Sequence, residues 1–183
     1  MNRKIFFDEY RKNLDPDKSL SQKEVEAIDL FLNFYERDQA YFTLPQWAYV
    51  FATVFHETGS TFLPVREAPR LSEDWRKRNF RYYPYYGRGY VQITWDYNYK
   101  AYSKKLGVDL LKIPDLAMKP DYAWFILIDG FKNGVFTGKK ISDYINDKKK
   151  DYRNARRCIN GTDRMDQIAI YAKEFEQILL KSK

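Results

Sequence analysis

The sequence holds one cysteine, Cys158, and one histidine, His56. A lone cysteine closes no internal disulfide, so the chain does not read as a product of an oxidising compartment. A catalytic zinc takes three protein ligands, usually His, Cys or carboxylate. With one His and one Cys, a two-histidine site is unavailable, and zinc peptidase or amidase chemistry is not expected. No window approaches the roughly 18 apolar residues of a membrane-spanning helix. The N-terminal residues carry Arg3 and Lys4, but Asp8, Glu9 and Arg11 interrupt before an apolar run of secretory-signal length. Acidic residues are outnumbered, 25 against 32 basic, for a formal charge of +7. That surplus speeds encounter with polyanions, whether nucleic acid, anionic membrane or wall polymer, without choosing among them.

What is present is apolar and aromatic: 44% of the 183 residues are hydrophobic, and Phe, Trp and Tyr make up 18% of the chain. This is enough to bury a core and sets the expectation of one domain, with room for a small appended lobe. Residues 4–13 read as a short helix and Asp15-Pro16-Asp17 as a turn. Ser21-Gln22-Lys23-Glu24 fits a capping box ahead of Val25, Ile28, Phe31, Leu32 and Tyr35 at helical spacing. Thr43 caps a further helix, with Pro45 in its first turn, an apolar stripe of Trp47, Val50, Phe51, Val54 and Phe55, and Gly59 as its stop. Residues 60–95 read as irregular, and a loop that long in a compact domain is usually functional. Tyr90 to Thr94 alternates as a short strand does. Helices are expected from Asp96 to Leu106, from Tyr122 to Asn133, over Ile141 to Asn146, and from Arg164 to Leu180, the third followed by the basic run Lys148-Lys149-Lys150.

Glu57 stands out because it sits at the end of an apolar helix. Partial burial and the negative end of the helix dipole both favour the protonated carboxyl, which a general acid needs at neutral pH. Glu67 lies ten residues on, in Val65-Arg66-Glu67. Paired carboxylates are the working parts of most glycosidases, although Glu73 and Asp74 compete for the second position and a local ion pair with Arg66 or Arg70 is the plainer reading. The run Tyr82 to Tyr90 offers flat apolar faces with polar tips, suited to stacking on sugars or bases, or simply to packing. Gly87 and Gly89 within it permit close backbone approach. Gln92, Thr94 and Asn98 add short polar groups, Asn160-Gly161 is a turn signal, and His56 points away from its neighbour Glu57 on a helix, toward a structural role.

Together these segments resemble the family 19 glycoside hydrolases. The match is carried by Phe55-His56-Glu57-Thr58-Gly59-Ser60, by Tyr86-Gly87-Arg88-Gly89-Tyr90-Val91-Gln92-Ile93-Thr94 with Tyr97-Asn98-Tyr99, and by Ile159-Asn160-Gly161 before a closing helix. It extends over roughly residues 45–180 and leaves residues 1–40 as N-terminal helices, either core padding or a small lobe of one catalytic domain. The resemblance implies a mainly α, lysozyme-like or chitinase-like α+β fold with a very small β element beside the cleft. It implies Glu57 as general acid, Glu67 as the base that activates water, and Thr94 as the hydroxyl that helps hold that water. His56, Tyr86, Arg88, Gln92, Asn98 and Asn160 fall at substrate-binding positions. Inversion at the anomeric carbon would set the carboxylates about 6.5–9.5 Å apart. Two departures stand out: Ser60 replaces a glycine common in the family, and the closing helix near Gln167 lacks an arginine that some relatives place there.

The resulting expectation is a phage endolysin-type enzyme cutting β-1,4 linkages of bacterial peptidoglycan, with chitin oligomers as the alternative substrate. It is expected to use no cofactor or metal, bind no nucleic acid, insert in no membrane and act as a monomer. Synthesis in the bacterial cytoplasm, without a signal peptide, would precede release to the wall. A Cys158–His56 peptidase or amidase and a non-enzymatic binder of wall polymer or nucleic acid are the readings from other classes.

Overall fold

The computed structural model describes residues 1–15, 17 and 19–183; Pro16, at the centre of the expected Asp15–Asp17 turn, lies outside the described residues. The chain divides into two compact units, Met1–Phe62 with Asp129–Lys183, and Leu63–Ile128.

The first unit is built on α3 (Leu44–Glu57), in which every residue from Gln46 to Phe55 is buried. A helix apolar on all sides belongs in the middle of a core. Around it lie α1 (Arg3–Asn13), α2 (Gln22–Asp38) and α7 (Met165–Lys181). The expected capping box opens α2, with Ser21 and Glu24 bonded reciprocally, and Thr43 with Gln46 does the same for α3. Residues 1–40 share this unit's core: Phe6 and Phe31 pack on Phe51 at ring-centroid distances of 6.2 and 5.0 Å, and Tyr10 meets both Phe55 and Phe175 at 6.2 Å. Aromatic pairs, two of these edge-on and two tilted, contribute roughly 0.5–1.5 kcal/mol each beyond their burial.

Residues 141–146 depart from expectation. In place of a helix there is a 3-10 turn (Ile141–Asp143), then β1 (Ile145–Asn146) paired antiparallel with β2 (Lys149–Lys150). The reason is local: the Asn146 side chain accepts from the Lys148 and Lys149 amides, at 3.0 and 3.2 Å, closing a turn that competes with helix. The basic run therefore lies on a hairpin.

In the second unit, β3 (Val65–Arg66) pairs antiparallel with β4 (Arg88–Gly89), Val65 opposite Gly89. Between them lies α4 (Glu73–Asn79), a short helix inside the segment expected to be irregular. The strand expected at Tyr90–Thr94 sits two residues earlier. Gln92 takes a left-handed φ of 56°, and Arg88 and Ile93 exchange backbone hydrogen bonds around the turn. The alternation misled because Tyr90, Val91 and Ile93 are all buried. Then come α5 (Asp96–Leu106), a 3-10 turn (Pro114–Met118) and α6 (Pro120–Asn133). The architecture is mainly α with very small β elements, as expected. Among the described residues no helix is long and apolar enough to cross a membrane.

Candidate active site

Glu57 is the last residue of α3, where the helix leaves the core. Thr58 stops it: its hydroxyl donates to the Val54 carbonyl at 2.8 Å and accepts from the Phe62 amide at 3.0 Å. The chain then turns through left-handed Gly59, Ser60 and Phe62. Glu57 keeps 17% of its side chain exposed and pairs with Arg156 Nη1 at 2.5 Å, whose own side chain is 3% exposed. Arg156 stands in a 3-10 turn (Asn154–Cys158), and its Nε donates to the Asp163 carbonyl at 3.0 Å.

Arg156 is the residue that sequence reasoning missed. It lies in the turn that precedes the closing helix. Its signal was the Arg156-Arg157 pair directly before Cys158-Ile159-Asn160-Gly161, but 99 residues separate it from Glu57. His56 is half-buried. Its proton affinity is lowered first by burial, with Arg156 and Arg164 adding to the effect and Glu57 and Asp163 opposing it. Its ring makes no hydrogen bond among the described residues. Cys158 is fully buried, and burial pushes its thiol up to about 12.

In the second unit Glu67 follows β3. Its Oε1 accepts from the Tyr82 hydroxyl at 2.7 Å and its Oε2 from the Gly87 amide at 2.9 Å, while its own amide donates to the Gly87 carbonyl at 2.7 Å. Burial first, and then Glu67, push the Tyr82 hydroxyl up to about 12, so it remains a donor at neutral pH. A Cβ on Gly87 would stand 2.7 Å from the Gln92 side-chain oxygen and 3.2 Å from Glu67 Oε2, which is why this position is glycine.

Glu73, the competing carboxylate, has a different role. Its Oε1 collects Tyr86 at 2.7 Å, Arg76 at 2.9 Å and Arg66 at 3.3 Å. That arrangement is a structural hub, and Glu67 is the carboxylate met only by neutral donors. Thr94 donates to the Gln92 carbonyl at 2.9 Å, Asn98 to the Thr94 carbonyl at 2.8 Å, and Gln92 to the Val65 carbonyl at 2.9 Å. This ladder ties α5 and the turn after β4 to β3, with Thr94 Oγ1 and Asn98 Oδ1 still able to accept.

Two expected binding residues are placed otherwise. Tyr86 and Arg88 are 1% and 4% exposed. Arg88 donates to Asp115, to the Pro84 and Tyr86 carbonyls and to the Tyr99 hydroxyl. In this geometry both frame the unit and do not face solvent. Asn160 is exposed on the first unit, its amide donating to the Arg156 carbonyl at 3.0 Å. Among the described residues no group of three His, Cys, Asp or Glu side chains is placed to hold a metal ion.

This α-rich architecture is shared with chitinase C from Streptomyces griseus, with a TM-score of 0.61 at 23% identity, over 99% of this chain and 93% of that one. In sequence, the chain is 37% identical to the basic endochitinase CHB4 of Brassica napus over 102 residues, 46% of this chain and 38% of that protein. It is 33% identical to endochitinase EP3 of Arabidopsis thaliana over 97 residues, 50% of this chain and 35% of that one. The match thus spans little more than a third of these curated relatives. Residues 15–126 match the model of the chitinase class I family, glycoside hydrolase family 19, and the chain belongs to that family. The matched stretch contains Glu57, Glu67, Gln92, Thr94 and Asn98; Arg156 and Asn160 lie beyond it.

Proposed function

We propose that this chain is a glycosidase that hydrolyses β-1,4 linkages in polymers of N-acetylated amino sugars, with Glu57 as general acid and Glu67 as general base. The observation that carries the reading is the contrast between the carboxyls. Glu57 ends a buried helix, and Glu67 is held by a tyrosine hydroxyl and a backbone amide, donors that orient a carboxylate without neutralising it. One protonates the leaving oxygen and the other takes a proton from the attacking water, the division of labour of an inverting glycosidase. Thr94, with an acceptor position open, supports that water; Gln92, Asn98 and Asn160 bind sugar.

Chitin is the substrate better supported by the relatives, whose names are those of chitinases. Peptidoglycan is the second reading, favoured by the basic surplus of the chain. The cysteine-peptidase alternative loses its nucleophile, since a buried thiol raised this far supplies almost no thiolate at neutral pH.

The test is digestion of chitin oligomers and purified sacculi by wild type and by Glu57→Gln, with products identified by mass. New reducing ends from wild type, and at least roughly a hundredfold loss in the variant, are expected. Equal digestion by both proteins contradicts the assignment, and release of free amino groups without new reducing ends points to peptide cleavage instead.

A further inference from the structure

The positive charge of this chain is not spread evenly. Residues 132–164 hold ten lysines and arginines against four aspartates, a surplus of six out of the chain's seven. That stretch lies wholly in the first unit and wholly outside the residues that match the family. Two of its four aspartates are engaged by its own backbone: Asp143 accepts from the Lys140 amide at 2.8 Å, and Asp151 from the Asn154 amide at 3.0 Å. Lys150 is paired with Glu176 and Arg153 with Asp166. Lys139, Lys140, Lys148, Arg157 and Arg164 are exposed and have no ion pair among the described residues.

Two of these cations share one place. Lys139 and Arg157 line a shallow depression of about 470 Å³ together with Phe136, Thr137, Ile159 and Asn160. The Thr137 hydroxyl ties its two walls by donating to the Arg157 carbonyl at 2.5 Å. The wall formed by Arg157 to Gly161 is continuous with Arg156, which holds Glu57. The surface around this depression is cationic.

We propose that the basic face of residues 132–164 docks an N-acetylated glycan carrying carboxylates at regular intervals, with Lys139 and Arg157 taking an acidic group at the depression. That chemistry is peptidoglycan, whose alternate sugars carry stem peptides bearing free carboxylates, and it separates this face from one that would hold neutral chitin. The inference rests on the glycosidase reading above and names its substrate class. Guanidinium and ammonium groups attract carboxylates from a distance and lose that reach as salt rises.

The experiment is co-sedimentation of full-length Glu57→Gln protein with purified sacculi stripped of phosphate-bearing polymers, and separately with chitin particles. It is repeated with Lys139→Ala, Lys140→Ala and Arg157→Ala combined, and with a control that removes the exposed lysines of the second unit, Lys100→Ala, Lys104→Ala and Lys112→Ala. The first triple variant is expected to bind sacculi roughly tenfold more weakly at low salt, to bind chitin unchanged, and in the wild-type background to cleave chitin oligomers at the wild-type rate. In about 1 M salt, where screening acts within about 3 Å, the difference closes. Equal loss in the two triple variants overturns the proposal. So does equal retention on sacculi and chitin, or tighter retention on duplex DNA or anionic vesicles than on sacculi. Should wild type release no reducing ends from either glycan, the glycosidase reading fails, while the sedimentation still decides whether this face holds acidic glycan.

Discussion

Glu57 is fixed from far away in the chain and Glu67 from nearby. Glu57 meets a guanidinium 99 residues distant, on a turn that packs beside α7. Glu67 is held by Tyr82 and Gly87, 15 and 20 residues on, through a hairpin that closes on itself. A long-range ion pair between side chains that are largely buried is part of the tertiary fold, and losing one partner strands a charge. A local hydrogen bond to a half-buried carboxylate aims the group while adding little to global stability. The same residue type thus serves in two settings, one welded to the core and one adjusted by its own loop.

The contrast is broken most strongly at Arg156. Arg156→Leu leaves Glu57 unpaired where it is mostly buried and is expected to cost about 3–5 kcal/mol, read as a lowered denaturation midpoint; a loss below about 1 kcal/mol would mean that the pair behaves as a surface contact. Gly87→Ala sets a methyl against Gln92 and Glu67 and is expected to cost about 1–3 kcal/mol, with a larger loss in turnover than in stability. Tyr82→Phe removes one donor from Glu67 and keeps the ring. It should lower kcat by roughly tenfold, the worth of one hydrogen bond to a charged group, with the melting temperature nearly unchanged; a large drop in melting temperature would place Tyr82 with the core.

Two smaller effects sharpen the picture on the Glu57 side. Ser60 holds a φ of 72°, in the left-handed region that favours glycine, so Ser60→Gly is expected to stabilise by up to about 1 kcal/mol, measured by denaturant unfolding. His56 has a folded-state proton affinity below that of the unfolded chain. Its contribution to stability is therefore present above the unfolded value of about 6.5 and is lost as pH falls through the folded value. Titrating unfolding across that window should give a slope that His56→Gln reduces.

This division also explains what the sequence made legible. Periodicity and caps placed all the long helices, because α2, α3 and α7 carry their stripes and stops locally. Glu57 was legible as a polar group ending an apolar helix, and Gly87 as a close approach. Two features went wrong for one reason, that short polar side chains make turns which mimic or interrupt periodic patterns: Asn146 converted an expected helix to a hairpin, and left-handed Gln92 moved a strand. Arg88 and Tyr86 looked available for ligand because a motif does not reveal burial. Arg156 was invisible because nothing within its own segment points to Glu57.

The most direct test of the central assignment compares Glu57→Gln and Glu67→Gln on a chitin oligomer and on its dinitrophenyl glycoside, whose leaving group departs without a proton. The account predicts that Glu57→Gln loses at least roughly a hundredfold on the oligomer and recovers most of it on the activated substrate, while Glu67→Gln loses as much on both. Equal loss by both variants on both substrates, or recovery in Glu67→Gln alone, would contradict the assignment of acid and base.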